Sequence, residues 1–170
     1  DFMITNLIML CIIGVTILIY FINNPIGHSG KYRIRCFWNW FPLGMTYAFL
    51  YMGRYNLTVS KSAFGDLMSK EEFGTIFGVG ALVYGFAFLI NGPITDKIGG
   101  KKAILIASFG AAVMNILMGI ITYMVLNGTM PKDDLTGMFC FLYALNMYFQ
   151  SFGAVSVVKV NSFWFHVKER

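Results

Sequence analysis

Long apolar stretches alternate with short polar segments along the whole chain. Phe2–Ile22 contains no charged residue and is long enough to cross a bilayer core of about 30 Å as a helix rising about 1.5 Å per residue. Four more apolar stretches are also predicted to be membrane helices; they cover Cys36 to about Asn56, Phe73 to about Ile94, Ala103–Leu126 and Thr136–Phe165. The pattern predicts an all-α membrane protein that crosses the bilayer five times.

A cleaved signal peptide is the alternative interpretation of the first stretch. A signal peptide has a basic start, an apolar region of about 7–15 residues and a cleavage site of small residues. This stretch follows Asp1, is longer and ends at Asn23–Pro25, so a membrane helix is favoured. The chain starts without Met and ends at Lys168–Arg170 directly after an apolar stretch, so we expect it to be a fragment.

The polar segments predict helix boundaries. Ser69 followed by Glu72 is a capping-box pattern, which predicts a short surface helix in the mixed-charge segment Leu57–Glu72. Asn91–Pro93 contains Gly92 before Pro93 and predicts the end of the third apolar stretch. A short polar turn then leads into the fourth stretch.

Small residues in the third stretch predict a helix-packing face. Gly78, Ala81 and Gly85 lie at positions i, i+3 and i+7, and Gly74 forms a GxxxG pair with Gly78. Small residues allow close backbone approach between membrane helices. The alternative is that membrane helices are simply rich in glycine.

The composition also indicates that lipid is the solvent. Hydrophobic residues make up 57% of the chain and charged residues 12%, against about 25% charged in soluble domains. The net charge is +5, but the bases are grouped between apolar stretches, which indicates membrane topology and not nucleic-acid binding. Cys11, Cys36 and Cys140 lack metal-ligand spacing and no catalytic motif is present, so we expect no enzyme activity, metal or cofactor.

The distribution of bases predicts the orientation in the membrane, because lysine and arginine collect in cytoplasmic loops. Alternate polar segments hold eight bases in one set and three in the other, where acids offset them. We therefore expect an integral protein of the plasma or inner membrane, with its N-terminus outside and residue 170 in the cytoplasm. The richer set comprises Lys31, Arg33, Arg35, Lys97, Lys101, Lys102, Lys168 and Arg170.

Two bases are predicted to lie inside the membrane, where charge is costly. The first, Arg54, follows Tyr47 and Tyr51 by seven and three residues, so the three side chains share one helix face. The planar fork of a guanidinium fits a phosphate or a carboxylate. The alternative is that Arg54 extends to the lipid headgroups near the end of its helix.

The second intramembrane base is Lys159. Asn146 and Gln150 lie at i and i+4, whereas Lys159 lies nine residues past Gln150 and so about 180° around the helix. We expect Asn146 and Gln150 to face a polar interior. We expect Lys159 to pair with Asp96 at the polar turn instead.

The polar turn resembles a known signature. Gly92-x3-Asp96-Lys97-x-Gly99-x-Lys101-Lys102 is similar to the loop between helices 2 and 3 of the major facilitator superfamily. Further segments resemble the organophosphate:phosphate antiporter family, which includes glycerol-3-phosphate and hexose-phosphate transporters. These segments are Tyr51–Leu57, Tyr84–Phe86, Tyr148–Gly153, Phe163–Phe165 and Lys168–Arg170.

The resemblance implies twelve helices in two six-helix halves around a central site. Residues 36–170 are then the first four helices of the N-terminal half, and residues 1–35 are an extra membrane helix with a cytoplasmic linker. Arg54 matches a phosphate-binding arginine, with Tyr47, Tyr51 and Gln150 as pocket residues. The cytoplasmic gate is expected at Gly92, Asp96, Lys97, Gly99, Lys101, Lys102 and Lys159.

The function implied by the resemblance is exchange of a sugar phosphate or glycerol phosphate for inorganic phosphate by alternating access. Membrane lipid and the remaining helices of the transporter are the other expected partners. Relatives carry a lysine where this chain has Phe88, which leaves the substrate open. The alternatives are a transporter of another organic anion, such as a carboxylate, and a membrane sensor of sugar phosphate that transports nothing.

Overall fold

The computed structural model describes residues 2–167, without the side chains of Phe2 and Asp66. Over these residues the chain forms five long helices and short 3-10 turns, and no strand, which confirms the predicted all-α fold. The expected cytoplasmic bases Lys168 and Arg170 lie outside the described residues. The helices are α1 (Phe2–Ile22), α2 (Gly30–Phe64), α3 (Lys70–Ile98), α4 (Gly100–Leu126) and α5 (Leu135–Trp164).

The second helix is longer at both ends than the predicted stretch from Cys36 to Asn56. It begins at Gly30 because the Ser29 hydroxyl accepts a hydrogen bond from the Tyr32 N–H at 3.4 Å. It then runs through Pro42 to Phe64, so the basic segment predicted as linker belongs to the helix. Arginine and lysine are good helix formers, and a helix has no need to end where the bilayer ends.

The third helix does not end at Asn91–Pro93, so that prediction is wrong. It continues through Pro93 to Ile98. Asn91 is fully buried, and its side-chain amide donates to the Ser151 hydroxyl at 2.6 Å and to the Tyr148 carbonyl at 3.3 Å. These bonds tie α3 to α5 and help to keep the helix continuous past the missing N–H of proline.

The polar turn is consequently much shorter than predicted. Asp96 and Lys97 lie in the last turn of α3, and Lys101 and Lys102 lie in the first turn of α4. Only Gly99 separates the two helices. Its φ of +87° is in a region that side chains other than glycine rarely adopt, so the glycine makes the tight reversal possible.

The predicted capping box is confirmed, but it begins α3 itself and not a separate surface helix. The Ser69 N–H donates to Glu72 Oε2 at 2.6 Å, and the Glu72 N–H donates to the Ser69 hydroxyl at 3.2 Å. Glu72 Oε1 also accepts a hydrogen bond from the Thr136 hydroxyl at 2.6 Å. One carboxylate therefore caps α3 and joins its start to the start of α5.

The fifth helix is the centre of the bundle, because it packs along α3 on one side and α4 on the other, with α2 more loosely attached. The core near its start includes Phe64, Phe73 and Phe139, whose rings meet edge-on at about 5.8 and 5.7 Å between centroids. The core near its end includes Leu50 and Phe152. Antiparallel packing of long apolar helices thus fills both halves of the bundle.

The helix ends gather the bases of two polar segments at one end of the bundle. The Tyr32 hydroxyl at the start of α2 donates to the Trp164 carbonyl at the end of α5, at 2.7 Å. A Cβ on Gly100, at the start of α4, would lie 2.7 Å from the Val160 side chain. The segments around Lys31 and Lys101 therefore share one end, as the topology prediction requires.

In the described part of the chain, four helices are long and apolar enough to cross a membrane; these spans are Met3–Ile22, Lys70–Ile98, Gly100–Leu126 and Lys132–Trp164. The remaining helix, α2, has 35 residues and a length of about 52 Å, but it is less apolar than the other four and carries its charged residues toward its two ends, at Lys31–Arg35 and at Arg54 and Lys61. Its crossing, and with it the five-crossing layout, stays a prediction.

The predicted glycine face is wrong for the described part of the chain. A Cβ added to Gly74, Gly78 or Gly85 would meet no other group within 4 Å. On α3 the close approach occurs instead at Gly80, against the Tyr143 ring, and on α4 one occurs at Gly110, against the Phe149 ring. Which glycines are needed for packing depends on the neighbouring helix, and spacing within one helix does not reveal it.

We expect Gly80→Ala to destabilise the protein, because the new methyl group would overlap the Tyr143 ring, which is only 3% exposed. Overpacking of this kind costs about 1–3 kcal/mol, while alanine gains up to about 1 kcal/mol in helix propensity. Thermal unfolding in detergent should show a lower midpoint. Gly78→Ala is the matched control in open space and should keep or raise the midpoint; equal midpoints for the two variants would contradict the packing.

Candidate functional site

Arg54 lies where α2, α3 and α5 meet. Its Nε donates to Gln150 Oε1 on α5 at 3.1 Å. Its Cζ lies 4.7 Å from the centroid of the Tyr51 ring on α2 and 4.6 Å from that of the Tyr84 ring on α3. The guanidinium therefore points toward the neighbouring helices. An arginine extended to the headgroups, the alternative interpretation, would point outward.

Helical spacing on α2 brings two tyrosines to the same face as Arg54, as predicted. The Tyr47 and Tyr51 rings meet edge-on at 5.0 Å between centroids, and their hydroxyl oxygens are 3.4 Å apart. Gly153 on α5 makes room for this face, because a Cβ there would come within 3.2 Å of the Tyr47 ring. The result is a row of two phenols and a guanidinium along one side of α2.

Two buried side-chain amides on α5 hold Arg54 in place through a series of hydrogen bonds. Gln150 and Asn146 are 2% and 1% exposed, and Gln150 Nε2 donates to Asn146 Oδ1 at 2.5 Å. Asn146 Nδ2 in turn donates to the carbonyl of Ala111 on α4 at 3.1 Å. Each amide thus uses its oxygen and its nitrogen within the protein, which orients the Gln150 oxygen toward the guanidinium.

The terminal nitrogens of Arg54 remain free to bind a ligand. Within residues 2–167, neither terminal nitrogen donates to a protein acceptor and no carboxylate forms an ion pair with this arginine. The faces of Tyr51 and Tyr84 stabilise the positive charge without taking up its N–H groups. An arginine in this setting can bind a phosphate or carboxylate with its open edge.

Tyr84 was not among the predicted binding residues, although it lies in a segment that carried the family resemblance. It is 30 residues from Arg54 along the chain, on another helix. Its ring also contacts Phe88, at 6.2 Å between centroids. No spacing rule within one helix relates Tyr84 to Arg54, so only packing of α3 against α2 brings them together.

The predicted pairing of Lys159 with Asp96 is present in the structure. Lys159 Nζ lies 2.6 Å from Asp96 Oδ1, and the two side chains are 36% and 64% exposed. Gln150 and Lys159 therefore point to different partners, as their separation on α5 predicted. The bond between Asn91 and Ser151, little more than one turn before Asp96, holds α3 and α5 in the register that this ion pair needs.

The other predicted gate residues have no comparable contacts in the described part of the chain. Lys97, Lys101 and Lys102 are exposed and form no ion pair with residues 2–167. A Cβ on Gly92 would meet nothing within 4 Å. Among these residues, then, only Asp96 and Lys159 have a direct interaction.

A cavity of about 380 Å³ lies elsewhere, between α2 and α4. Its walls carry no charged side chain. The polar groups of Ser60, Asn115 and Thr122 there donate to carbonyls of their own helices. Because no charged side chain lines it, this cavity is less suited to an anion than the surroundings of Arg54. No group of three or more potential metal ligands lies together in the described residues.

Comparison with known proteins identifies relatives that are membrane proteins. The sequence profile of the Major Facilitator Superfamily matches residues 43–170. The chain is similar to the glycerol-3-phosphate transporter of Bacillus subtilis (strain 168), with 26% identity over 102 residues, or 60% of this chain and 21% of that protein. It is also similar to the membrane sensor protein UhpC of Salmonella typhimurium (strain LT2), with 23% identity over 126 residues, or 73% of this chain and 26% of that protein.

The chain thus spans about a fifth to a quarter of the length of these two relatives. No solved structure matches it significantly.

A double-mutant cycle tests whether Asp96 and Lys159 interact. Because both side chains are partly exposed, we expect Asp96→Asn and Lys159→Gln to show a coupling energy of about 0.2–1 kcal/mol in reversible unfolding. The control cycle pairs Asp96→Asn with Lys70→Gln, at the opposite end of α3, and should show no coupling. Additive effects in the first cycle would reject the ion pair.

Proposed function

Because the chain belongs to the Major Facilitator Superfamily, we propose that the protein exchanges a phosphorylated small molecule for inorganic phosphate across the membrane by alternating access. The observation that carries the proposal is that only one nitrogen of the Arg54 guanidinium is hydrogen-bonded within the described residues. Its Nε is held by Gln150, and its terminal nitrogens are open among the described residues. The similarity to a glycerol-3-phosphate transporter supports a phosphate ester as the ligand.

Arg54 is proposed to bind the phosphoryl group through its terminal nitrogens, because the guanidinium fork matches two phosphate oxygens. Tyr47 and Tyr51 add hydroxyl donors on the same face of α2. Gln150 and Asn146 hold the arginine in place and do not themselves need to touch the ligand. The same site binds the ester and inorganic phosphate in turn, which is what exchange requires.

The ion pair of Asp96 and Lys159 is proposed to latch the cytoplasmic gate, together with Gly92, Lys97, Gly99, Lys101 and Lys102 in the turn between α3 and α4. Formation of the pair draws the ends of α3 and α5 together. A contact worth little free energy suits this role, since a gate must open and close in each cycle.

The proposed topology places the basic end of the bundle in the cytoplasm, with the N-terminus outside and all five helices crossing a plasma or inner membrane. Residues 36–170 provide the first four helices of an N-terminal half, and residues 1–35 add a helix before them. The remaining helices of the transporter complete the path and the other side of the site.

A sensor that binds sugar phosphate without moving it is the second candidate, and the similarity to the membrane sensor protein UhpC favours it. Transport of a carboxylate by the same arginine is the third. A measurement of transport distinguishes the exchanger from the sensor, because a sensor binds its ligand without exchange. The anion that is carried distinguishes exchange of a phosphate ester from transport of a carboxylate.

We expect the whole protein that contains this chain to take up labelled phosphate into proteoliposomes loaded with phosphate or with glycerol 3-phosphate. Arg54→Lys keeps the charge but removes the fork, and loss of one charged hydrogen bond of about 2 kcal/mol predicts a rate about 30-fold lower. Tyr55→Phe is the control, because this neighbouring side chain is exposed and should leave uptake unchanged.

Binding of glycerol 3-phosphate without exchange would reject transport in favour of the sensor. Exchange of carboxylates alone would reject the phosphate ester. Full exchange activity in Arg54→Lys would remove the guanidinium fork from the mechanism.

A further inference from the structure

The first helix is fastened to the bundle at one end only. Arg33 on α2 donates from Nη1 to the Phe21 carbonyl at 2.8 Å and from Nη2 to the Asn23 carbonyl at 2.8 Å, and it also contacts the Tyr20 carbonyl. The Tyr20 hydroxyl returns a bond to the Arg33 carbonyl at 2.7 Å. A cation here satisfies the last carbonyls of α1 and the negative end of its dipole.

Aromatic rings extend this attachment for about one turn. Tyr20 lies 5.3 Å from Trp40, and Phe21 lies 5.4 Å from Phe37, between ring centroids. Beyond these rings α1 stands apart, and none of its apolar span is buried in the protein. The two helices therefore form a wedge that opens away from the basic end of the bundle.

An apolar cleft of about 180 Å³ fills the start of this wedge. Its one hydroxyl, on Thr16, donates to the Ile12 carbonyl of its own helix at 2.8 Å. That hydroxyl is therefore satisfied; the buried Trp40 Nε1 has no hydrogen-bond partner among the described residues, and the rest of the lining is apolar and suits a hydrocarbon. Its walls are Ile12, Ile13, Thr16, Ile17, Trp40, Phe41, Gly44 and Met45.

We propose that this cleft, which no part of the transport mechanism uses, binds an acyl chain of an anionic phospholipid whose headgroup lies at Lys31 and Arg35. Lys31, Trp38 and Met45 recur every seven residues, so they form one stripe along α2 from the basic end to the cleft wall. Met45 lies about 21 Å from Lys31 along the helix axis, whereas Trp40 lies about 8 Å along the axis from Arg35 but about 140° around it, so the Arg35 side chain must reach around α2 toward the headgroup.

The depth and the charge both fit a lipid. When the exposed side chains of Lys31 and Arg35 are at headgroup level, the cleft lies within the hydrocarbon core, where an acyl chain runs. Basic residues near the membrane surface attract anionic headgroups.

Trp40 provides a direct reporter, since it lines the cleft and the chain has three tryptophans. The purified protein, in which Trp38, Trp164 and every tryptophan outside residues 1–170 are replaced by Phe, is placed in bilayers that contain equal small fractions of brominated phosphatidylglycerol or brominated phosphatidylcholine. We expect the anionic lipid to quench Trp40 fluorescence more strongly than the neutral lipid does. We also expect its quenching to level off as the fraction of brominated lipid is raised.

Two matched variants separate the cleft from the general lipid surface. Gly44→Leu fills the cleft, where a Cβ meets nothing within 4 Å, and should abolish the excess quenching. Gly14→Leu makes the same change in open space on α1 and should retain it. Lys31→Gln and Arg35→Gln should each weaken the preference by up to about fivefold, whereas Lys70→Gln at the other end should not.

Equal quenching by the two lipids in the parent, or no quenching by either, would overturn the proposal; the second result would show that protein covers the cleft. Excess quenching that survives Gly44→Leu would also overturn it. None of these results depends on transport, so the lipid site can be rejected without rejecting the proposed exchange function, and the reverse also holds.

Discussion

The rest of the bundle depends on the cost of keeping the Arg54 guanidinium among helices. A charge in a low-dielectric setting loses hydration worth several kcal/mol, so it must find compensation nearby. Tyr51 and Tyr84 supply aromatic faces and Gln150 supplies one oxygen. This set compensates the charge only in part, because within residues 2–167 the two terminal nitrogens have no hydrogen-bond acceptor. The three helices around Arg54 must stay in place for that edge to exist.

The fifth helix connects the two charged parts of the structure. Gln150 on one face holds Arg54, and Lys159 on another face contacts Asp96. One helix therefore contacts both Arg54 on α2 and Asp96 on α3, and the bond between Asn91 and Ser151 lies between these two contacts.

The first helix differs from the others in how it is held. Helices α3, α4 and α5 bury apolar side chains along their length, whereas α1 is attached through carbonyl groups and rings at one end. In water such a helix would leave too much apolar surface exposed. In a bilayer its surface is already solvated by lipid, so a single polar attachment suffices and the wedge beside α2 is free for lipid.

Regular periodicity let the sequence reveal much of this protein: the membrane-length helices, the capping box at Ser69 and the shared face of Tyr47, Tyr51 and Arg54 all follow from spacing within one segment. Other features depend on residues far apart in the chain. Packing against Ser151 keeps α3 helical past Pro93, and packing of α3 against α2 adds Tyr84 to Arg54. Packing of α5 against α3 makes a glycine necessary at position 80, because the Tyr143 ring lies against Gly80. Local rules describe which groups share a face, but they do not say which helix that face will meet.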